Sequence, residues 1–171
     1  KNILKIIEQN KTELANYMVL VRKFHSENYY DMELIMLLKA MELYPDSFEV
    51  NYDLKLIYNK VVFPKYTVKY IEKCLRQIQA NPEFAKKYPL KKAYEEMGEN
   101  YNIMNEPAKA IDYYNKSAAA GNDGLKVNFG LGTAHEKAGE IVAANRYYKK
   151  VIEKWGSSKE AKYCKMKRRD D

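Results

Sequence analysis

One pattern is written twice in this chain. Tyr94, Met97, Gly98, Tyr101, Ala110 and Tyr114 are matched in order by Asn128, Leu131, Gly132, His135, Ala144 and Tyr148. The step from each residue to its counterpart is constant, and a fixed period of about 34 residues is the signature of a stacked repeat array. Within each copy the apolar and small residues fall at i, i+3, i+4 and i+7, which is one face of a helix. A second helix follows, with an alanine and an aromatic four apart on its inner face. Glycine inside a helix costs about 1 kcal/mol relative to alanine. Two glycines at matched positions therefore imply a compensating gain. The expected gain is close approach, each of Gly98 and Gly132 meeting the small Ala110 or Ala144 of its partner helix.

These residues resemble a tetratricopeptide repeat, a family with the same period. Most of the small and large positions agree twice in register. Asn128 and His135 replace expected aromatics, and Asn122 and Gly156 stand where the family closes a unit with proline. Lys116 to Gly121, with its alanine run, is also similar to the longer Sel-like relatives, but the period favours the tetratricopeptide reading. The resemblance implies an all-α, right-handed superhelical solenoid of antiparallel helix pairs.

Composition agrees with an all-helical chain. Glycine (7) and proline (5) are few, and 46% hydrophobic content with 16 tyrosines supplies a core. No apolar run approaches the roughly 18 residues that mark a candidate transmembrane helix, so no segment is expected to span a membrane. The chain opens at Lys1 without a methionine, which implies a removed leader or a piece of something longer. It is expected to be soluble, and cytoplasmic or, after loss of a leader, exported or periplasmic. Cys74 and Cys164 have no metal-ligand spacing and read as ordinary thiols.

The organisation expected is a single repeat domain over 1–171, with units at about 14–47, 48–84, 91–124 and 125–158. A leading helix spans 1–12 and a lysine-rich capping helix spans 159–171. Tyr17, Leu20, Val21 and Phe24 pack from the first unit, with Asn28 at its turn. The second unit is degenerate: Val61 to Thr67 is about three residues longer than the period allows, an apolar insert that reads as packing over its own unit or as an exposed contact loop. Asn81 to Leu90, bounded by Pro82 and Pro89, reads as a spacer with one helical turn and as the place for a bend. Asp46 or Ser47, and Ser157 or Ser158, are N-cap candidates. Pro107 opens a helix at the position where its missing N–H costs nothing.

In tetratricopeptide arrays the first helices line a concave groove, and the resemblance implies that this is the ligand surface. Helical direction places Met18, Arg22 and His25 there from the first unit, and Tyr52, Asp53, Leu56 and Lys60 from the second. The third unit supplies Glu95, Glu96, Glu99 and Asn102, and the fourth Lys126, Phe129, Thr133 and Lys137. The family's carboxylate clamp for heat-shock chaperone tails needs Lys and Asn, then Asn, then Lys and Arg. Met18, Arg22 and Asp53 do not fit it, nor do Tyr52, Leu56 and Glu96, nor Glu95, Glu99 and Gly130. That ligand is not expected. Glu95, Glu96 and Glu99 form an acidic patch that reads as a solvated face or as an attractor of a basic or extended peptide.

No catalytic group, metal site or cofactor site is recognisable. His25 and His135 are the only histidines, neither has a nucleophile or metal-ligand partner in the sequence, and His135 reads as a packed imidazole. The net charge is +7. Lys149 to Asp171 alone holds nine Lys/Arg against four Asp/Glu. The chain is therefore read as a non-catalytic scaffold that binds a protein or peptide in its groove. The alternative is an electrostatic binder of nucleic acid or an anionic surface through Lys159 to Arg169.

Overall fold

Four short turns set the register of the molecule. The structure, a computed structural model, describes residues 14–168. The leading helix expected over 1–12 lies outside them. The described helices are α1 (Leu14–Ser26), α2 (Tyr30–Leu43), α3 (Phe48–Lys60), α4 (Pro64–Ala80), α5 (Leu90–Ile103), α6 (Pro107–Ala119), α7 (Leu125–Lys137), α8 (Ile141–Trp155) and α9 (Lys159–Lys167). A 3-10 turn, Pro82–Lys86, fills the expected spacer. No strand occurs among the described residues.

The turns α1–α2, α3–α4, α5–α6 and α7–α8 each contain three residues, and the middle one is left-handed: Asn28 (φ 60°), Val62 (58°), Asn105 (58°) and Gly139 (78°). The residue after it donates its N–H five residues back. Tyr29 donates to the Phe24 carbonyl, Phe63 to Tyr58, Glu106 to Tyr101 and Glu140 to His135, all at 2.9 Å. This closes the free carbonyls of each first helix. Glycine and asparagine enter the left-handed region readily, whereas β-branched Val62 is strained there.

Asn28 and Val62 stand one full period apart, as do Asn105 and Gly139. The second helix pair is thus in period, and the expected insert at Val61 to Thr67 is corrected. The step from Val62 to Asn105 is nine positions longer than the period. The excess is taken up by the 17-residue α4 and the 3-10 turn after it. A valine in the turn position concealed this in the sequence. Val61, Val62 and Phe63 are exposed rather than packed over their unit.

The close approach at the glycines is present, but with a different partner. A Cβ added to Gly98 would stand 2.8 Å from Cγ of Tyr114, and one added to Gly132 would stand 2.5 Å from Cε1 of Tyr148. The tyrosine ring, four positions beyond the expected alanine, occupies the space that glycine leaves. Ala110 and Ala144 are buried elsewhere in the same seam.

The chain divides at Gln77/Ile78 into two compact units. In the first, α1 packs on α2 and α2 on α3. Tyr17, Met18, Leu20, Val21, Met36, Leu37, Val50, Leu54 and Tyr70 share one core. Tyr58 of α3 stacks on Tyr66 (4.9 Å) and Tyr70 (5.6 Å) of α4. Ser47 caps α3, its side chain accepting from Val50 N–H at 3.4 Å. Buried Asn51 donates to the Pro45 and Ser47 carbonyls, at 3.1 and 2.9 Å, and so ties α3 to the chain that enters it.

In the second unit each helix packs on its neighbour from α5 to α9, and α5 also meets α7. Helix α9 starts one period after α7 and occupies the place of a further first helix. Ala93, Val127 and Ala161 recur at that spacing and all are buried. Ser158 caps α9, accepting from Ala161 N–H at 3.0 Å. Glu136 of α7 anchors it, accepting from Tyr148 Oη (2.7 Å) and from Lys167 Nζ (3.1 Å) and Tyr163 Oη (3.4 Å) of α9. Where α5 and α7 have Gly98 and Gly132, α9 carries Met166, 79% exposed.

Candidate functional site

In the second unit α5, α7 and α9 wall a cleft of about 340 Å³. Its lining includes seven of the residues that helical direction assigned to a groove: Glu95, Glu99 and Asn102 from α5, and Lys126, Phe129, Thr133 and Lys137 from α7. They converge because first helices one period apart present the same faces. Ile103, Tyr114, Gly130, Lys159 and Glu160 complete the lining. Sequence reasoning missed these five. Tyr114 belongs to a second helix and reaches the cleft only because Gly98 and Gly130 leave room for its ring; a Cβ on either glycine would overlap it. Gly130 was the available signal, a third helical glycine outside the repeated pair.

The polar groups of the cleft differ in how far they are already satisfied. Glu95, 7% exposed, accepts from Lys92 Nζ at 2.5 Å and from Asn122 Nδ2 at 2.8 Å. Burial raises its pKa, but the Lys92 and Asn122 hydrogen bonds and the Lys92 and Lys126 charges outweigh this and hold the carboxyl below its ordinary value. Asn102 Nδ2 donates to Thr133 Oγ1 at 2.7 Å, and Thr133 donates to the Gly130 carbonyl at 3.0 Å. Lys137 Nζ donates to the Asn102 carbonyl at 2.5 Å. These bonds lace α5 to α7 across the floor. Asn102 Oδ1 is buried without a hydrogen-bond partner. Glu99 makes no hydrogen bond or ion pair among the described residues. Burial, then the Glu99 and Glu95 charges, push the Tyr114 hydroxyl to a higher pKa, against a hydrogen bond with the Asn102 side chain that lowers it.

The remaining expected groove residues are placed differently. Glu96 turns away from the cleft, accepting from Tyr88 Oη at 2.6 Å, so the acidic patch is not one surface. Met18 is a correction: at 1% exposure it is core, packed in the cluster that includes Val50, Leu54 and Ile57. Arg22 is exposed and pairs with Glu49 at 3.0 Å. His25 Nδ1 lies 3.1 Å from both oxygens of buried Glu33, and Lys60 Nζ stands 3.8 Å over the Tyr30 ring. Tyr52 stacks on Phe48 at 6.0 Å, Asp53 is half-buried and Leu56 is exposed. His135 is half-buried, stacked on Tyr147 at 5.4 Å with its Nδ1 2.5 Å from Glu140.

No protein-family model matches the chain, and no curated protein sequence matches it. Solved structures do. One is YrrB, described as a TPR protein with an unusual peptide-binding site: TM-score 0.68, 19% identity, 99% of this chain and 86% of that one. Another is MamA: TM-score 0.67, 23% identity, 94% and 88%. A third is PilW, described as a widely conserved type IV pilus biogenesis factor: TM-score 0.63, 19% identity, 92% and 69%. At these identities the likeness is one of fold. Together with three-residue turns repeated at a fixed period, it gives the described residues an all-helical fold like that of tetratricopeptide-repeat proteins.

Proposed function

We propose that the chain is a protein-interaction scaffold whose second unit holds a peptide or partner segment in the cleft between α5, α7 and α9, acting by binding rather than catalysis. The observation that carries this reading is one concave space lined by seven residues of the expected groove faces. Such a volume, at the small end of ligand sites, suits one or two inserted side chains. Phe129 is the apolar anchor, and the rim charges set specificity. The similarity to YrrB, a TPR protein with a peptide-binding site, supports the same class of partner. The test is selection of random dodecapeptides displayed on phage against the full chain. Enrichment that Phe129→Asp abolishes is expected. Enrichment indifferent to Phe129→Asp, or none at all, overturns the cleft as the site.

The second reading is electrostatic. Lys162, Lys165 and Arg168 are exposed on or beside α9, which favours contact with a polyanion. Binding to a single-stranded oligonucleotide that falls steeply with salt would support it. No binding at low salt removes it.

A further inference from the structure

Two acceptors on the floor of the cleft lack a hydrogen-bond partner. Glu99 is an acceptor with no hydrogen-bond or ion-pair partner among the described residues, and Asn102 Oδ1 is an acceptor buried without one. Both line the cleft together with Tyr114 and Phe129. The Tyr114 hydroxyl is hydrogen-bonded with the Asn102 side chain, and the neighbouring lysines and amide are committed elsewhere. Lys137 is bonded to the Asn102 carbonyl, Asn102 Nδ2 to Thr133, and Lys92 to Glu95. Lys126 and Lys137 are exposed at the rim rather than folded onto Glu99. The group that fits is therefore cationic, rich in N–H donors and without acceptors, carried on an apolar stem that can lie along Phe129 and Ile103. An arginine side chain meets this description best, because its planar guanidinium has five donors and pairs with a carboxylate through two parallel bonds. Lysine supplies the charge but not the fork.

We propose that the segment bound in this cleft inserts an arginine whose guanidinium pairs with Glu99. This rests on the peptide-binding reading and specifies its partner. Glu99 is the specificity residue. Glu95, already balanced by Lys92 and Asn122, ties α5 to the α6–α7 connection. The rim lysines Lys126, Lys137 and Lys159 leave room for acidic or polar residues flanking the arginine.

The test uses the full chain and the phage-selected peptides. Arginine is expected at one position of the enriched set, and Glu99→Lys should replace that preference with Asp or Glu. A fluorescein-labelled selected peptide, measured by fluorescence polarisation, should lose about tenfold in affinity when its arginine becomes neutral citrulline, a loss of the size a charge-assisted bond gives. The same peptide should lose a similar factor on Glu99→Gln and regain part of it on Glu99→Asp. In the Glu99→Gln protein, the arginine and citrulline peptides should bind alike. Glu99 is half-exposed, and unchanged helical circular dichroism confirms that the variants fold. Peptides that enrich without arginine, or an arginine–citrulline difference that survives Glu99→Gln, overturn the arginine site while leaving the interaction reading intact. A library from which nothing enriches overturns both.

Discussion

The two units solve one packing problem with opposite distributions of volume. Counted from the left-handed turn residue, the seam between paired helices matches Val21 with Leu37 and Lys55 with Ile71 in the first unit. In the second the same positions hold Gly98 with Tyr114 and Gly132 with Tyr148. All eight are buried. One unit puts bulk on the first helix and a modest aliphatic residue on the second. The other empties the first helix and lays a full ring into the gap. The second arrangement places a phenol at the back of a groove: Tyr114 reaches the cleft, which a leucine or isoleucine in its place would be too short to do. Packing and site are thus one decision in the second unit.

The sharpest way to break this comparison is to add volume where the ring lies. Gly132→Ala forces a methyl against the buried Tyr148 ring and is expected to destabilise by about 2–3 kcal/mol, at the upper end for overpacking. Gly98→Ala should act similarly on Tyr114. The double variant Gly132→Ala/Tyr148→Leu imports the first unit's solution and should recover part of that loss. In the first unit Val21→Ala should cost about 1–2 kcal/mol by leaving a cavity instead. Urea unfolding of the four proteins measures both, and equal stability of the single and double variants would show that the ring is not the obstacle.

A smaller loss tests the anchoring of α9. Tyr148→Phe removes a hydrogen bond to Glu136 and should cost about 1.5 kcal/mol, read as faster amide exchange in α9. For Glu136, burial raises the pKa, but hydrogen bonds from Tyr148, Lys167 and Tyr163 outweigh it and hold the carboxyl below 4.5. A depressed folded-state pKa stabilises above the unfolded value and is lost as pH falls through the folded one. The α9 contact should therefore weaken below about pH 4.5, and Glu136→Gln should flatten that dependence.

Caps compare the units more gently. Ser158→Ala and Ser47→Ala should each cost about 1 kcal/mol, the former more because its bond is 3.0 Å against 3.4 Å. The smallest effect should be a gain. Val62→Asn puts into the second turn the residue that Asn28 and Asn105 already place there, and should stabilise by about 0.5–1 kcal/mol by relieving left-handed strain. A thermal midpoint unchanged or lowered by Val62→Asn would show that this turn is not strained.

Much of this was legible because periodicity reports helices and their faces. The period of the two clean repeats, the caps to within one residue (Asp46 or Ser47, Ser157 or Ser158) and the groove faces of α5 and α7 follow from spacing and residue type. What stayed hidden depends on neighbours that spacing does not name. Helical periodicity puts Gly98 on the inner face, but only the crossing of α5 and α6 decides that Tyr114, not Ala110, lies over it. Met18 falls on the groove side of its helix by direction, yet residues of α3 share the core that buries it. Val62 hides its turn because a β-branched residue is unexpected at positive φ. Val21 and Lys55 stand at the glycine position, so the first unit keeps the register without the repeated glycine.

Met166 gives the array punctuation. In the second unit the seam is copied, and α5 and α7 each offer an empty place for an aromatic ring with glycine. Helix α9 keeps the rest of that frame, including its buried Ala161, but writes a long side chain into the blank, flanked by Lys162 and Lys165. A second helix carrying a tyrosine, grafted behind α9, would find no space for its ring until Met166 became glycine. One residue on the surface thus sets α9 apart from α5 and α7.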